Sequence, residues 1–487
     1  MRSPKLRLVV PAVILFFVIV VGATLVIKAL LGSPTKEIPP PNTLIVSKAG
    51  EGQYKTISEA LKNAQPNMRI LVRPGVYEEK VIVDKPVEII GDPNGTEKQN
   101  IIETRSSSCM LISAKNITVR GLSMRLLPGI KASIFKFFQV RNTVEEPCVD
   151  ITEGQTVIED CDITSEAVAG IGVRGDSADP VIRRTKIHNG NSNGIWVINH
   201  ARATVQECDI WGTAWAALRI EGGANAILQR CRVYDVRNCG MVITNYARGT
   251  VDECEFFNNA LSGIEVRERS SLNIRKSKIH HSKEQGVWFH KNSTGEVEGC
   301  EIYSNGMVGI EITEDSSPTI SHCEVFSNSS SNVEVNRGAD PVIRDCKIHG
   351  GPGSGIFVYE NGRGTIENCE ISDHQKYQQI AIRSGSSPVF RRCKVYSGMA
   401  GGVLVMGDST GTLEDCDIYD NRSAGIWIRQ NSNPTIRSCK INRNGLQAIV
   451  VNEGGSATVE QSDLTGNLGG AWDIQPQCAV RSTRNKE

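Results

Sequence analysis

The chain of 487 residues carries 54 Lys and Arg against 54 Asp and Glu, a formal net charge of zero, with 39% apolar and 5% aromatic residues. That balance excludes a protein that binds nucleic acid through bulk charge, so any charged site has to be local. Its 15 cysteines include no C-x-x-C pair, which excludes metal centres built on clustered thiolates.

Residues 1–32 begin with Arg2, Lys5 and Arg7 and continue, over residues 8–27, as apolar sequence interrupted by Pro11 and Gly22. About 20 apolar residues suffice to cross a bilayer, and basic residues ahead of them favour a cytoplasmic N-terminus. A cleaved secretion signal has a shorter apolar core, about 7–15 residues, followed by a small-residue cleavage site. The segment therefore reads as a transmembrane signal anchor. A Pro-rich linker follows at 33–42, and the rest of the chain is expected outside the cytoplasm.

Residues 43–125 read as an N-terminal cap with the first coils. Within 54–65, Ile57, Ala60, Leu61 and Ala64 recur at helical spacing, and Thr56 with Glu59 forms a capping box. Such a helix is expected to cover the open end of a repeat core. Residues 126–147, with Phe135, Phe137 and Phe138, read as a loop excursion or a degenerate coil.

From there one small residue returns every 23 residues, with two slips of one, fourteen times: Cys161, Thr185, Cys208, Cys231, Cys254, Ser277 and onward to Cys439 and Ser462. A fixed period of this length means one supersecondary unit stacked into a solenoid. Apolar rows stand three before the ladder residue (Ile158, Val205, Val297) and two after it (Ile163, Ile210, Phe256). A glycine often stands nine after, as in Gly286 and Gly309, followed by apolar pairs such as Ile264/Val266 and Ile310/Ile312. Alternation of period two bounded by glycine means short strands. Short strands returning in register predict an all-β, single-stranded parallel β-helix over 148–476, with 477–487 as a C-terminal tail. Layers ~4.8 Å apart make the regular part roughly 65 Å long.

The ladder cysteines are expected to be buried thiols, because stacked parallel side chains rarely meet the disulfide torsion. Asn258, Asn305, Asn328, Asn421, Asn444 and Asn467 recur near the first turn, where Asn tolerates left-handed backbone. His188, His280 and His349, three after the ladder, read as turn residues. The position one after the ladder runs Asp162, Lys186, Asp209, Arg232, Glu255 and onward to Asp463, with twelve of thirteen neighbouring pairs opposite in sign. Stacked opposite charges stabilise by about 0.2–1 kcal/mol per pair and oppose register slips, so this row is structural. Its one like-charged step is Glu301 beside Glu324.

Residues 50–57, GEGQYKTI, and 74–79, PGVYEE, resemble the opening of pectinesterase-like β-helix proteins. The coils resemble the right-handed parallel β-helix repeats of the pectin-lyase-like fold. That fold is shared by carbohydrate-binding and sugar-hydrolysis domains, NosD-like proteins, alginate C5-epimerases and β-helix F-box proteins. The resemblance implies a right-handed coil and leaves function to the site. The pectin methylesterase strings Q-D-T-L and D-F-I-F-G are absent, and the epimerase string D-P-H-D stops at Asp179-Pro180 and Asp340-Pro341. No motif indicates a cofactor or metal, calcium included, and G-G-x-G-x-D repeats are missing.

The outward positions eleven and thirteen after the ladder break the charge pattern. The first row includes Trp196, Arg219, Glu265, Trp288, Glu311, Glu334, Phe357 and Trp427; the second includes Glu221, Arg267, His290, Asn336, Tyr359, Arg383 and Arg429. Aromatic side chains among charges on one strand face suit flat sugar rings, so Trp196, Arg219, Glu265, Trp288, Phe357, Tyr359 and Trp427 are the candidate binding residues. Glu311 and Glu334 fall in adjacent layers, where close carboxylates divide acid and base roles or share a cation such as calcium. With His290 as a base, and with Arg267, they form the candidate catalytic set. Exposed strands also favour such residues with no function attached. Three readings follow: an anchored polysaccharide-binding protein, a polyuronate lyase, epimerase or hydrolase, and a scaffold that binds a protein partner.

Overall fold

The computed structural model describes residues 41–94, 99–128 and 146–487. The anchor, most of the linker and Phe135, Phe137 and Phe138 lie outside these residues. Among the described residues no helix is long and apolar enough to cross a membrane.

The chain forms an all-β, right-handed parallel β-helix in which most coils contribute three short strands. One coil shows the plan: Thr294–Glu298 on the first face, Glu301–Tyr303 on the second and Ile310–Ile312 on the third. Each strand pairs in register with its counterpart one coil later, Val297 with Ile320, Ile302 with Val325 and Ile310 with Val333. Among the described residues the first face holds 19 strands and the second 16. The inward rows read from the sequence make one continuous core, and Ile274, Phe256, Phe289 and Phe390 have no exposed surface. Residues 477–487, set apart above as a tail, hold the strand Ala479–Thr483, which pairs with Ser456–Glu460.

The helix spans Ile57–Asn63, with Thr56 accepting the Glu59 N–H and with Ile57, Ala60 and Leu61 buried. Glu79 adds a second cap, accepting the N–H groups of Ile57 at 2.8 Å and Ser58 at 2.9 Å. Orphan donors of a helix start are thereby satisfied by two side chains.

All 15 cysteines are free thiols. Size alone does not explain their ladder. Cys323 Sγ donates to the Ser321 carbonyl at 3.2 Å and lies 3.4 Å from that of Val297 in the coil before, and Cys300 and Cys346 repeat the pattern. Ser277 and Thr185 make the equivalent bonds to Arg275 and Arg183. The position therefore takes a small side chain that carries a donor for a tight corner. That corner is one residue in the left-handed region just before the ladder, and it is often a long side chain such as Glu207, Arg230, Glu253 or Lys276.

The asparagine stack begins at Asn259, not Asn258: Asn259 is buried, while Asn258 is the exposed turn residue with φ of 56°. Asn421 shows what the position does. Its amide nitrogen donates to the carbonyls of Val395 and Tyr419, both at 3.2 Å, and to Asn444 Oδ1 at 3.0 Å, while its oxygen accepts the Gly398 N–H at 3.0 Å. His374 fills the equivalent place in its own coil, fully buried, with Asn332 Nδ2 2.9 Å from its Nε2 and Gln379 Oε1 on its Nδ1. Burial pushes its pKa down to about 4. An unfolded histidine titrates near 6.5, so as pH falls below that value the unfolded chain takes up a proton the fold refuses. This group is expected to make the protein about 2 kcal/mol less stable at pH 5 than at pH 7. Urea midpoints at the two pH values should differ less in His374→Asn, and an unchanged difference would remove His374 as the cause.

The histidines three after the ladder are not turn residues. His188, Trp211, Tyr234, Phe257, His280, Tyr303, Phe326 and His349 end the second-face strands and stack ring on ring, with centroids 4.3 to 5.6 Å apart. In-register strands repeat at about the spacing of stacked rings, so the fold itself builds the column. Each histidine also meets the charge ladder, His188 at Asp162 (3.2 Å), His280 at Glu255 (3.3 Å) and His349 at Glu324 (2.9 Å). The like-charged step is relieved in the same way: Glu324 takes Lys347 and His349, and Glu301 turns to Lys278. Because the ring faces cover one another, this column is a structural spine and offers a flat ligand no platform.

Candidate functional site

The third face is bordered by the turn that leads into it from the second-face strand, as between Glu301–Tyr303 and Ile310–Ile312. Successive coils hydrogen-bond at this turn, as in Trp215 N–H to the Ser192 carbonyl, Met307 to Glu284 and Leu446 to Ser423. Trp215, Met307 and Leu446 therefore share one turn position and are exposed, with Tyr377 and Met399 exposed at adjacent positions in their coils. Turn residues also pack back onto the face: Ala216 and Cys239 bury the outward Val242, with Leu261 against them. The result is a ridge along one border of the third face on which exposed apolar side chains alternate with polar ones such as Asn238, Glu284 and Ser423.

Where the ridge carries small residues it opens. Ser330, Ser331, Gly353 and Ser354 wall a cleft of about 270 Å³ whose other residues are Glu334, Phe357, Tyr377, Ala381 and Arg383. Gly353 is required there, since a Cβ would stand 2.3 Å from the Ser330 carbonyl oxygen. The volume is below the ~300–1,000 Å³ of sites that enclose a whole small ligand and suits one ring of a longer one.

Glu334 is buried at 9% exposure, with Ser330 Oγ and Tyr359 OH each donating to its carboxylate at 3.3 Å. Burial raises its pKa above the usual carboxylate value, opposed by a hydrogen bond from Ser331 and reinforced by the charge of Glu311. Glu311 is its register neighbour, and Gln285 Nε2 donates to it at 2.7 Å. Phe357 stacks on Tyr359 at 4.4 Å, and the Arg383 guanidinium lies over the Phe357 ring at 5.4 Å. A second hollow, of about 310 Å³, lies in the first coils, but there Glu79 is used by the helix start and Glu103 faces Arg105.

The sequence matches the model of the right-handed β-helix region over residues 135–271, 216–351 and 331–485. The chain belongs to this β-helix family. Among solved structures, the β-helix is similar to a mutant of the periplasmic alginate epimerase AlgG, at 10% identity, covering 87% of this chain and 86% of that one with a TM-score of 0.37. It is also similar to the catalytic domain of a GH87 alpha-1,3-glucanase in complex with tetrasaccharides, at 11% identity, 67% of each chain and a TM-score of 0.42. Pectin methylesterase PemA from Erwinia chrysanthemi follows at 13% identity, 50% of this chain and 79% of that one, with a TM-score of 0.30. The likeness to these proteins is one of fold.

This β-helix gathers some of the expected residues and separates others. Glu311 and Glu334 do meet, and Phe357 and Tyr359 adjoin them. Arg267 and His290 belong to a different cluster centred on Glu265, whose Oε1 lies 3.0 Å from both Arg267 Nη1 and His290 Nε2. Burial opposes the Glu265 charge, but His290 and Arg267 outweigh it and hold the carboxyl below its ordinary value. Cys239 sits on the same carboxylate at 3.5 Å, and burial with the Glu265 charge pushes its thiol up to about 12. His290, expected to be exposed, is 5% exposed and stacks on Trp288 at 4.0 Å, so both its edge and its face are occupied. Thr313 donates to Asn336 between the two clusters. Trp196 donates to Glu221, which also holds Arg219, and Trp427 lies under Arg429. The aromatics are thus half-buried and spaced along the face, each tied to a polar neighbour.

Sequence reading missed the serines and Tyr377, because they lie in a turn treated as a spacer. A signal was present: Ser329-Ser330-Ser331 and Gly350-Gly351-Pro352-Gly353 put runs of small residues in two successive coils at the turn where Trp215, Met307 and Leu446 stand in three others. Among the described residues no group of three or more His, Cys, Asp and Glu is placed to hold a metal ion.

Proposed function

We propose that the third face binds an extended polysaccharide, with one ring seated in the Glu334 cleft and flanking rings on the ridge. The observation that carries this reading is the cleft itself, which brings together serine hydroxyls, a carboxyl, a guanidinium and two aromatic rings. Sugar rings need that mixture, apolar faces for stacking and directed polar groups around their edges. Tyr377, 54% exposed, is the ring free to stack. The apolar run of residues 8–27 supports an anchored protein whose β-helix faces an extracytoplasmic glycan.

The full chain in detergent micelles, screened against neutral and acidic glycans by calorimetry, should bind at least one polymer. Tyr377→Ala should weaken that binding roughly 5- to 10-fold, as loss of one stacking ring does, while leaving the thermal midpoint unchanged. If no glycan binds, the reading falls. If a glycan binds and Tyr377→Ala changes nothing, the ring seat lies elsewhere.

A second reading, glycan turnover, is favoured by one observation: Glu334 combines burial, a raised pKa and a carboxylate neighbour in Glu311. That environment keeps a carboxyl protonated closer to neutrality, as a general acid requires.

A further inference from the structure

The arginines on the third face divide into two kinds. Arg174, Arg267 and Arg429, at equivalent positions in their coils, pair with Asp150, Glu265 and Glu453. Arg383 holds the same position, yet among the described residues it has no carboxylate partner, and its buried Nε has no hydrogen-bond acceptor. The carboxyl among the residues lining the cleft, Glu334, is the one whose pKa is raised by burial and by Glu311. A guanidinium held over the Phe357 ring, with its donors free inside a partly dry cleft, is built to take an oxyanion, because planar N–H donors match a carboxylate or sulfate in two parallel bonds.

We infer that the cleft selects a saccharide ring carrying an anionic substituent, a carboxylate or a sulfate ester, and that Arg383 is the residue that selects it. This rests on the glycan reading of the groove. Arg383 supplies the charge and direction, Ser330, Ser331 and Ser354 line the same cleft and supply hydroxyls, and Tyr377 covers the ring. Seating the anion here also places the ring beside Glu334, while the paired arginines elsewhere on the face leave other rings unselected by charge.

The test uses the full chain in detergent and three oligosaccharide sets matched in length, one neutral, one carboxylated and one sulfated, titrated calorimetrically. Wild type is expected to bind at least one anionic set roughly 10- to 100-fold tighter than the neutral set, the ratio a charged hydrogen bond supplies, with the advantage shrinking as salt rises. Arg383→Met, which keeps an apolar stem on Phe357, should bring the anionic sets down to the affinity the same variant shows for the neutral set. Which anionic set wins separates carboxylate from sulfate. Equal binding of neutral and anionic sets by wild type overturns the inference and leaves the glycan reading standing, and it does so whether or not the variant folds. An anionic preference that survives in folded Arg383→Met assigns selection to another residue and also overturns it. Binding of no set removes the glycan reading and the inference together.

Discussion

Phe390→Ala is expected to destabilise the fold by about 3–5 kcal/mol, the range for emptying a phenylalanine site in a packed core. Phe390 has no exposed surface, stands in register between Ile366 and Leu413, and replaces the smaller aliphatic residue found at its position in other coils. The cavity left behind cannot close easily, because each coil is fixed at both sides by strand pairing. In a solenoid the loss is felt first by neighbouring coils, so a single global unfolding energy understates it. Amide hydrogen exchange resolves this: protection at Ile366 and Leu413 should fall by several orders of magnitude while that of distant coils, such as at Val205, changes little. Unchanged protection beside the site would show that the core there repacks.

Glu334→Gln is expected to abolish turnover of any glycan the protein processes, by about 100-fold or more, while retaining glycan binding. The amide keeps the shape and can still meet Ser330 and Tyr359, but it has no proton to give. Because burial and Glu311 raise the Glu334 pKa, the active acid form persists above the usual carboxylate range and is lost as pH rises through the shifted value. Wild-type activity should therefore decline on its alkaline side at the Glu334 pKa, and Glu311→Gln should move that decline to lower pH by removing the neighbouring charge. Mass spectrometry of bound oligosaccharides after long incubation reads the outcome. If wild type forms no product, the groove is a binding surface alone. Residual turnover by Glu334→Gln at the wild-type rate would move the acid to another group.

Much of the β-helix was legible without coordinates, because its dominant forces repeat. Burial writes the apolar rows, stacked charge writes the alternating row from Asp162 to Asp463, and both recur with the 23-residue period. The corners were less legible. Sequence rules expect Gly or Asn at left-handed positions, yet Arg230, Glu253 and Lys276 occupy them. Inter-coil hydrogen bonds on both sides hold these residues against their local preference, so composition gives no warning of the turn.

The site divides in the same way. The pairing of Glu311 with Glu334 follows from counting, since strand register is a one-dimensional property and the period states it. Which carboxylates are paired, which rings are covered and where the turn ridge opens depend on side chains from neighbouring coils meeting across the face. Thus His290 moves from candidate base to the partner of Glu265, and Arg383, one of several arginines in a row, becomes the one left with free donors. The coil, its core and its layer-by-layer register could be read ahead of the fold, because they are set by residues a fixed number of positions apart. The cleft could not, because burial, desolvation and the pairing of each charge with its neighbours are properties of the packed face.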